Sequence, residues 1–241
     1  MSRLQELEAL QEQSAEVLLE AVLRQANGAA CCLTSSLQAE DMVVLHLLRQ
    51  HVPDVPVIFL DTGYHFAETY AYRDAMTRDW SIQLINVVPE TTVAQHEAAL
   101  GKQYLVDPTQ CCQIRKVAPL LRSLEPYEIW FTGLRREQSP TRAKLKKLEE
   151  HRLPSGKTLL KVSLLADWNW AQVWEYLRVH RIPHLPLYDA GYGSIGCEPC
   201  TQRSQDPNNP RAGRWGGKKL ECGIHTFAAS EVEGREVEGR E

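Results

Sequence analysis

"AACCLTSSLQAEDMVVLHLL", residues 29 to 48, decides the fold class. A short apolar run ends in small polar residues at Thr34, Ser35 and Ser36, and apolar residues at helical spacing follow directly. Strand, small polar turn and helix in that order form the unit from which parallel sheets are built. "VPVIFLDTG" (55–63) repeats it and leads into the helical "FAETYAYRDAMTRD". "IQLINVVP" (82–89), "EIWFTGLR" (128–135) and "TLLKVSLL" (158–165) read as further strands. Helices are predicted at 91–101, over the cysteines near 111, and over "DWNWAQVWEYLRVHR" (167–181), with Asp167 or Asn169 near its cap. The expected fold is α/β, a parallel twisted sheet flanked by helices.

Around this core the chain divides into three parts. "RLQELEALQEQSAEVLLEAVLRQ" (3–25) is an amphipathic helix, giving an N-terminal helical extension over 1–27. One domain is expected over 28–229, its last part from about 204 forming a mobile arm. "EVEGREVEGRE" closes a tail at 230–241 with the composition of disorder. "QSPTRAKLKKLEEHRLPSGK" (138–157) is open between helix and hairpin, and the Pro- and Gly-rich "IPHLPLYDAGYGSIGCEPC" (182–200) is irregular.

With 43% apolar residues among 241, the chain can bury a sizeable core. Its 27 basic and 31 acidic side chains give a net charge of −4, which argues against a nucleic-acid or acidic-membrane partner. An anionic ligand must therefore be held by local basic residues. No run approaches the roughly 18 apolar residues of a membrane span, and "MSRLQELEALQEQ" lacks the basic-then-apolar pattern of a signal peptide. A cytoplasmic protein is expected, and with it cysteines that serve metal binding or reactivity rather than disulfides.

The seven cysteines fall as Cys31-Cys32, Cys111-Cys112, Cys197-x-x-Cys200 and a solitary Cys222. Cys31 and Cys32 lie in an apolar strand, where neighbouring side chains point to opposite faces, and read as structural. In "PTQCCQIRK" (108–116), Asp107 is a fitting N-cap and Pro108 a fitting first helical residue. Both thiols then lie about one turn into a helix, which Pro119 should kink or end. Adjacent helical side chains diverge by roughly 100°, so both reach one object only if it is larger than a single ion or the turn distorts. With Cys197 and Cys200 there are four thiols, the number for zinc or for a [4Fe–4S] cluster. The adjacent pair tilts the choice towards the cluster, whose charge Arg115, Lys116 and the helix N-terminus would offset.

Cys222, in "KKLECGIH", has Lys218, Lys219 and His225 nearby, and positive neighbours raise the thiolate fraction. Arg211 and Arg214 of "RAGRW" suit phosphate or sulfate oxygens. In the turn "TSSLQAEDM", Ser35 and Ser36 before a helix N-terminus can donate to an anion; alternatively Ser36 or Ala39-Glu40 simply caps the helix.

Together "AEDMVVLHL", "LDTGYHFAETY", "CCQIRKVAPL", "TGLRREQSPTR", "YGSIGCEPCT", "RAGRW" and "ECGIH" resemble the assimilatory sulfonucleotide reductases, and among them the iron–sulfur adenylyl-sulfate (APS) reductases. The resemblance spans roughly residues 30 to 227. It implies the PP-loop (ATP-pyrophosphatase) fold, a [4Fe–4S] cluster on Cys111, Cys112, Cys197 and Cys200, and Cys222 as the nucleophile. Attack on the sulfur of APS would leave an S-sulfocysteine and AMP, and thioredoxin would then release sulfite. The resemblance also implies Lys116, Arg211, Arg214 and His225 as cations around the phosphosulfate. Ser35, Ser36, Leu60 and Gly133 are the implied nucleotide contacts, assisted by Arg135 and Arg136. Gln38 departs from the glycine usual in this loop, and "GGKKL" makes a short link to the Cys222 arm. With no thioredoxin-like stretch in the chain, an external reductant is expected. Three other readings stand beside this one: a reductase of the 3′-phosphorylated substrate (PAPS), a PP-loop pyrophosphatase, and a non-catalytic metal-binding regulator.

Overall fold

The structure, a computed structural model, describes residues 9–206 and 209–225. The start of the expected N-terminal helix and the whole 230–241 tail lie outside the described residues. Helix α1 (Ala15–Ala26) starts at Ser14, whose hydroxyl accepts the Val17 amide, and buries Leu18, Leu19 and Val22.

Strands β1 (Cys31–Thr34), β2 (Val57–Leu60), β3 (Leu84–Val87), β4 (Ile129–Phe131), β5 (Leu148–Arg152) and β6 (Thr158–Val162) form a six-stranded sheet. Its order is β3-β2-β1-β4-β6-β5. All neighbours are parallel except the edge pair β5/β6, so the segment left open in the sequence is a hairpin. Helices α2 (Ala39–Arg49), α3 (Ala67–Asp79) and α4 (Val93–Leu100) follow the first three strands, then α5 (Gln103–Val106), α6 (Pro108–Cys112), α7 (Ala118–Leu124) and α8 (Trp170–Val179). Asn169 caps α8 in a box with Gln172, while Asp167 pairs with buried Lys147 at 2.7 Å.

Two cores cover the two faces of the sheet. Leu33, Val57, Phe59, Phe131 and Val162 meet α1, α2 and α8 on one side. Cys32, Ile58, Trp130 and Leu159 meet Leu120, Leu121 and Leu124 of α7 on the other. Cys32 is fully buried in the second core and Cys31 packs against the first, as strand alternation requires. Among the described residues no helix is long and apolar enough to cross a membrane.

Pro119 does not end its helix. A π turn over Gln113–Val117 joins α6 to α7, and the helix runs on to Leu124. Proline has no N–H for the carbonyl four residues back and its ring crowds that carbonyl; the wider turn absorbs both problems.

Parallel strands deliver their carboxyl ends to one edge, where a ligand site is expected. There Gly133 lies so near α2 that a Cβ would collide with the Asp41 carboxylate and sit 3.0 Å from the Asp41 amide nitrogen. Gly133→Ala should therefore cost about 2 kcal/mol of stability and lower Tm by roughly 4–8 °C. Calorimetry checks this, and an unchanged Tm would show that the contact yields freely.

Candidate active site

At that edge a cavity of about 380 Å³ opens, in the range of small-molecule sites. Ser35 and Ser36 reach it from the end of β1, Leu60 from β2, and Gly133 and Arg135 from beyond β4. Lys116 enters from the π turn, and Arg211, Arg214, Cys222 and His225 from the C-terminal segment. The short "GGKKL" link thus suffices to bring Cys222 to the wall. Arg136 is not part of the lining; its Nε donates to the Leu145 carbonyl at 2.8 Å.

The serine turn differs from its expected form. Helix α2 has Gln38 at its N-cap with no side-chain cap bond. Asp41 instead reaches back from the first turn and accepts the Ser36 amide at 2.7 Å and its hydroxyl at 2.9 Å. The Leu37 amide goes to Ser35 Oγ and the Ala39 amide to the Tyr188 hydroxyl. A buried carboxylate therefore fills the cradle that the sequence offered to a ligand's anion, and these loop amides are spent. Gln38 is extended, so glycine is not required there, while Leu37 takes the left-handed conformation with φ 58°. The Gln38 side chain donates to Ser36 Oγ and accepts the Ile195 amide, tying this turn to the irregular 182–200 segment. Burial pushes the Asp41 carboxyl up to about 7, against the Ser36 and Gln38 hydrogen bonds that favour its charge.

Arg135 is buried and committed to Glu40 at 3.0 Å and Glu137 at 2.7 Å, with its guanidinium 5.2 Å from the Trp170 ring. It stiffens the cavity wall more than it offers free charge. Arg214 is buried against Gly196, where its Cζ would be 2.7 Å from any added Cβ, so a side chain there would have to displace the guanidinium. The guanidinium also lies 4.5 Å from the Trp215 ring centroid, with Arg211 and Lys219 at 5.5 Å and 5.3 Å from the same ring. The Nε atoms of Arg211 and Arg214 are buried without a hydrogen-bond partner.

His225 is not the cation that the sequence suggested. Its ring stacks on Trp130 at 5.5 Å, and burial, with Lys161 and Arg142 nearby, lowers its pKa well below the ordinary value. Its Nδ1 is buried and unpartnered, so the neutral ring lines the cavity without bringing a charge to it.

Behind Lys116 the four expected thiols come together, each buried. Cys111 has Cys112, Cys197 and Cys200 as charged neighbours, and burial pushes its thiol up to about 12. Cys200 is pushed up to about 11 for the same reason. Cys197 is lowered: burial raises it, but Lys116, the Thr62 hydroxyl 3.3 Å from its sulfur, and Arg214 outweigh burial. Burial acts against the Lys116 ammonium too, and its attraction to Cys197, Cys112 and Cys222 overcomes it and holds its pKa above the ordinary value. Cys197 pairs with His65 in an isolated antiparallel bridge, and the Glu198 amide donates to the Tyr64 carbonyl at 2.7 Å, so backbone bonds dock this loop. Among the described residues no three histidine, cysteine, aspartate or glutamate side chains converge closely enough to grip one metal ion. A cubane does not ask for such convergence, because each thiolate takes a separate iron. Four buried thiols with Lys116 and Arg214 beside them therefore fit a [4Fe–4S] group in donor chemistry and charge.

Sequence reading missed Asp41 as the filler of its own loop, and Arg142 and Glu221 as wall and arm residues. An acid in a first helical turn reads as an ordinary dipole partner, and nothing local links positions 142 and 221.

The family profile described as "Phosphoadenosine phosphosulfate reductase domain" matches residues 30–203. The adenosine 5′-phosphosulfate reductase of Streptomyces coelicolor is 43% identical over 92% of this chain and 95% of its own. That of Mycobacteroides abscessus is 42% identical over 90% of both chains. Among solved structures, phosphoadenylyl-sulfate reductase from Candida auris superposes with a TM-score of 0.69 at 23% identity, covering 84% of this chain and 98% of that one. FMN adenylyltransferase from Candida glabrata gives a TM-score of 0.57 at 16% identity over 80% and 68% of the two chains. The fold is thus the one that the resemblance implied.

Asp41 yields a pH prediction with a definite sign. Its folded pKa of about 7 exceeds the ordinary carboxylate value of about 4. Its favourable contribution is thus complete below about 4 and is lost as pH rises through 7. Asp41→Asn keeps an acceptor for Ser36 without the charge, so it should be more stable than the parent by on the order of 2 kcal/mol at pH 8.5 and by less at pH 5.5. Urea unfolding at both pH values measures this; an equal difference at the two would refute the burial argument.

Proposed function

Because the chain belongs to the phosphoadenosine phosphosulfate reductase family, we propose that it reduces adenosine 5′-phosphosulfate to sulfite and AMP with Cys222 as the nucleophile. The observation that carries this reading is the shared wall: Cys222, Lys116, Arg211 and Arg214 face the same cavity as Ser35, Ser36, Leu60 and Gly133. The nucleotide lies against the strand ends and the phosphosulfate against the cations. The Cys222 thiolate attacks the sulfur; an S–S bond forms, the S–O bond to the phosphate breaks, and AMP leaves with that electron pair. Lys116, Arg211 and Arg214 offset charge on the departing oxygens. An external dithiol of the thioredoxin type then attacks Sγ of Cys222. Sulfite leaves, a mixed disulfide forms, and the second thiol of the reductant resolves it and returns the Cys222 thiol. The dithiol supplies the two electrons.

Cys111, Cys112, Cys197 and Cys200 would hold the [4Fe–4S] cluster. When bound, it would supply fixed negative charge beside Lys116, whose single side chain then faces cluster and substrate together. All seven cysteines are unpaired, which suits a reducing compartment such as the cytoplasm. The relatives in Streptomyces and Mycobacteroides named as adenosine 5′-phosphosulfate reductases support the unphosphorylated nucleotide as substrate.

Mixing anaerobically purified protein with APS should leave a sulfonate-sized mass increase on the Cys222 peptide, absent in Cys222→Ser. An adduct that survives this substitution refutes the nucleophile. Cys197→Ser should remove the visible absorbance and most of the bound iron. A colourless parent protein with stoichiometric zinc would overturn the cluster.

A further inference from the structure

The residue before the nucleophile carries the densest polar contacts of the arm. Glu221 Oε1 accepts from Arg142 Nε and from the Thr141 hydroxyl, both at 2.9 Å. Its Oε2 lies 2.6 Å from Arg142 Nη2 and 3.5 Å from Arg211 Nη2. The Arg142 and Glu221 side chains are only 10% and 11% exposed, so this is a nearly dry contact between parts of the chain 79 residues apart. Arg142 is itself aimed by Gln138, whose Oε1 accepts from its Nη1. Lysine-to-carbonyl bonds also tie the segment: Lys218 to Leu105, Lys219 to Pro108, and Lys161 to His225. Long flexible side chains that end on single acceptors fix position less well than a fork-shaped guanidinium on a carboxylate.

We propose that Glu221 is the positioning residue of the arm, a latch that holds the Cys222 thiol at the cavity and fixes Arg211 in its wall. The second half follows from the geometry of Arg211. Its Nη2 is taken up by Glu221 and by the Leu220 carbonyl at 2.9 Å, which ties the guanidinium to the arm. One carboxylate thus sets both the nucleophile and a cation of the cavity wall. Thr141 and Arg142, on a 3-10 turn just beyond the Gly133–Arg135 wall, fix the latch to the end of the sheet that holds the nucleotide. Breaking a buried pair by removing one partner leaves the other charge uncompensated, so the arm should release rather than relax in place.

This inference rests on Cys222 being the nucleophile only in its consequence for turnover; the latch itself is tested without chemistry on the substrate. Anaerobic protein is treated with iodoacetamide, and alkylation is followed at each cysteine by mass spectrometry. Glu221→Ala should speed alkylation of Cys222 at least tenfold and leave Cys31, on β1, within twofold of the parent. Glu221→Gln, which keeps the shape and one acceptor, should fall between. Sulfonation of Cys222 by APS should slow at least tenfold in Glu221→Ala, with AMP binding changed less than threefold. Arg142→Ala should produce the same alkylation increase, and the double variant no further one. Unchanged Cys222 alkylation in Glu221→Ala and Glu221→Gln, or an equal rise at Cys31, overturns the latch. Faster Cys222 alkylation in a protein whose parent forms no sulfonate adduct would keep the latch and remove the nucleophile reading.

Discussion

A buried ammonium needs an anion, and Lys116 finds its anions among sulfur atoms. Its charge and that of Arg214 meet Cys112, Cys197 and Cys222, thiols brought in by a helix, a proline-rich loop and the C-terminal segment. Burial alone would keep a thiol protonated and strip a lysine of its proton. Here Lys116 keeps its charge, and of the four grouped cysteines Cys197 alone is drawn below its ordinary pKa, while Cys111, Cys112 and Cys200 stay above theirs. Local architecture answers to this pairing. The π turn that accommodates Pro119 carries Lys116, Gly196 leaves room for Arg214, and backbone bridges pin the Cys197 loop beside them.

The sheet contributes a different constraint. Its parallel strands end together, so Ser35, Leu60 and Gly133 share one rim of the cavity. The cations Lys116, Arg211 and Arg214 come instead from the π turn and the C-terminal segment, and the Cys222 thiol lines the same cavity.

Much of this was legible because it is local. Strand, turn and helix units announce themselves by periodicity, and the cysteines group by their spacing in the chain. The opposite-facing Cys31 and Cys32 followed from strand geometry alone. What escaped is what crosses the chain. Gln38 accepts from Ile195, 157 residues on, and Arg142 reaches Glu221, 79 residues on; neither pair leaves a trace in local sequence. His225 misled for a related reason. Its charge state is set by Lys161, Arg142 and Trp130, which fold against it from elsewhere.

The self-filled loop after β1 has a bearing on the company this protein keeps. A loop of free amides welcomes any polyphosphate, and nucleoside triphosphates are the abundant ones in a cell. Here a pyrophosphate group would first have to evict the Asp41 carboxyl from the Ser36 amide and hydroxyl. The loop after β1 is thus closed to such a group in the resting fold, while Lys116, Arg211 and Arg214 line the cavity elsewhere.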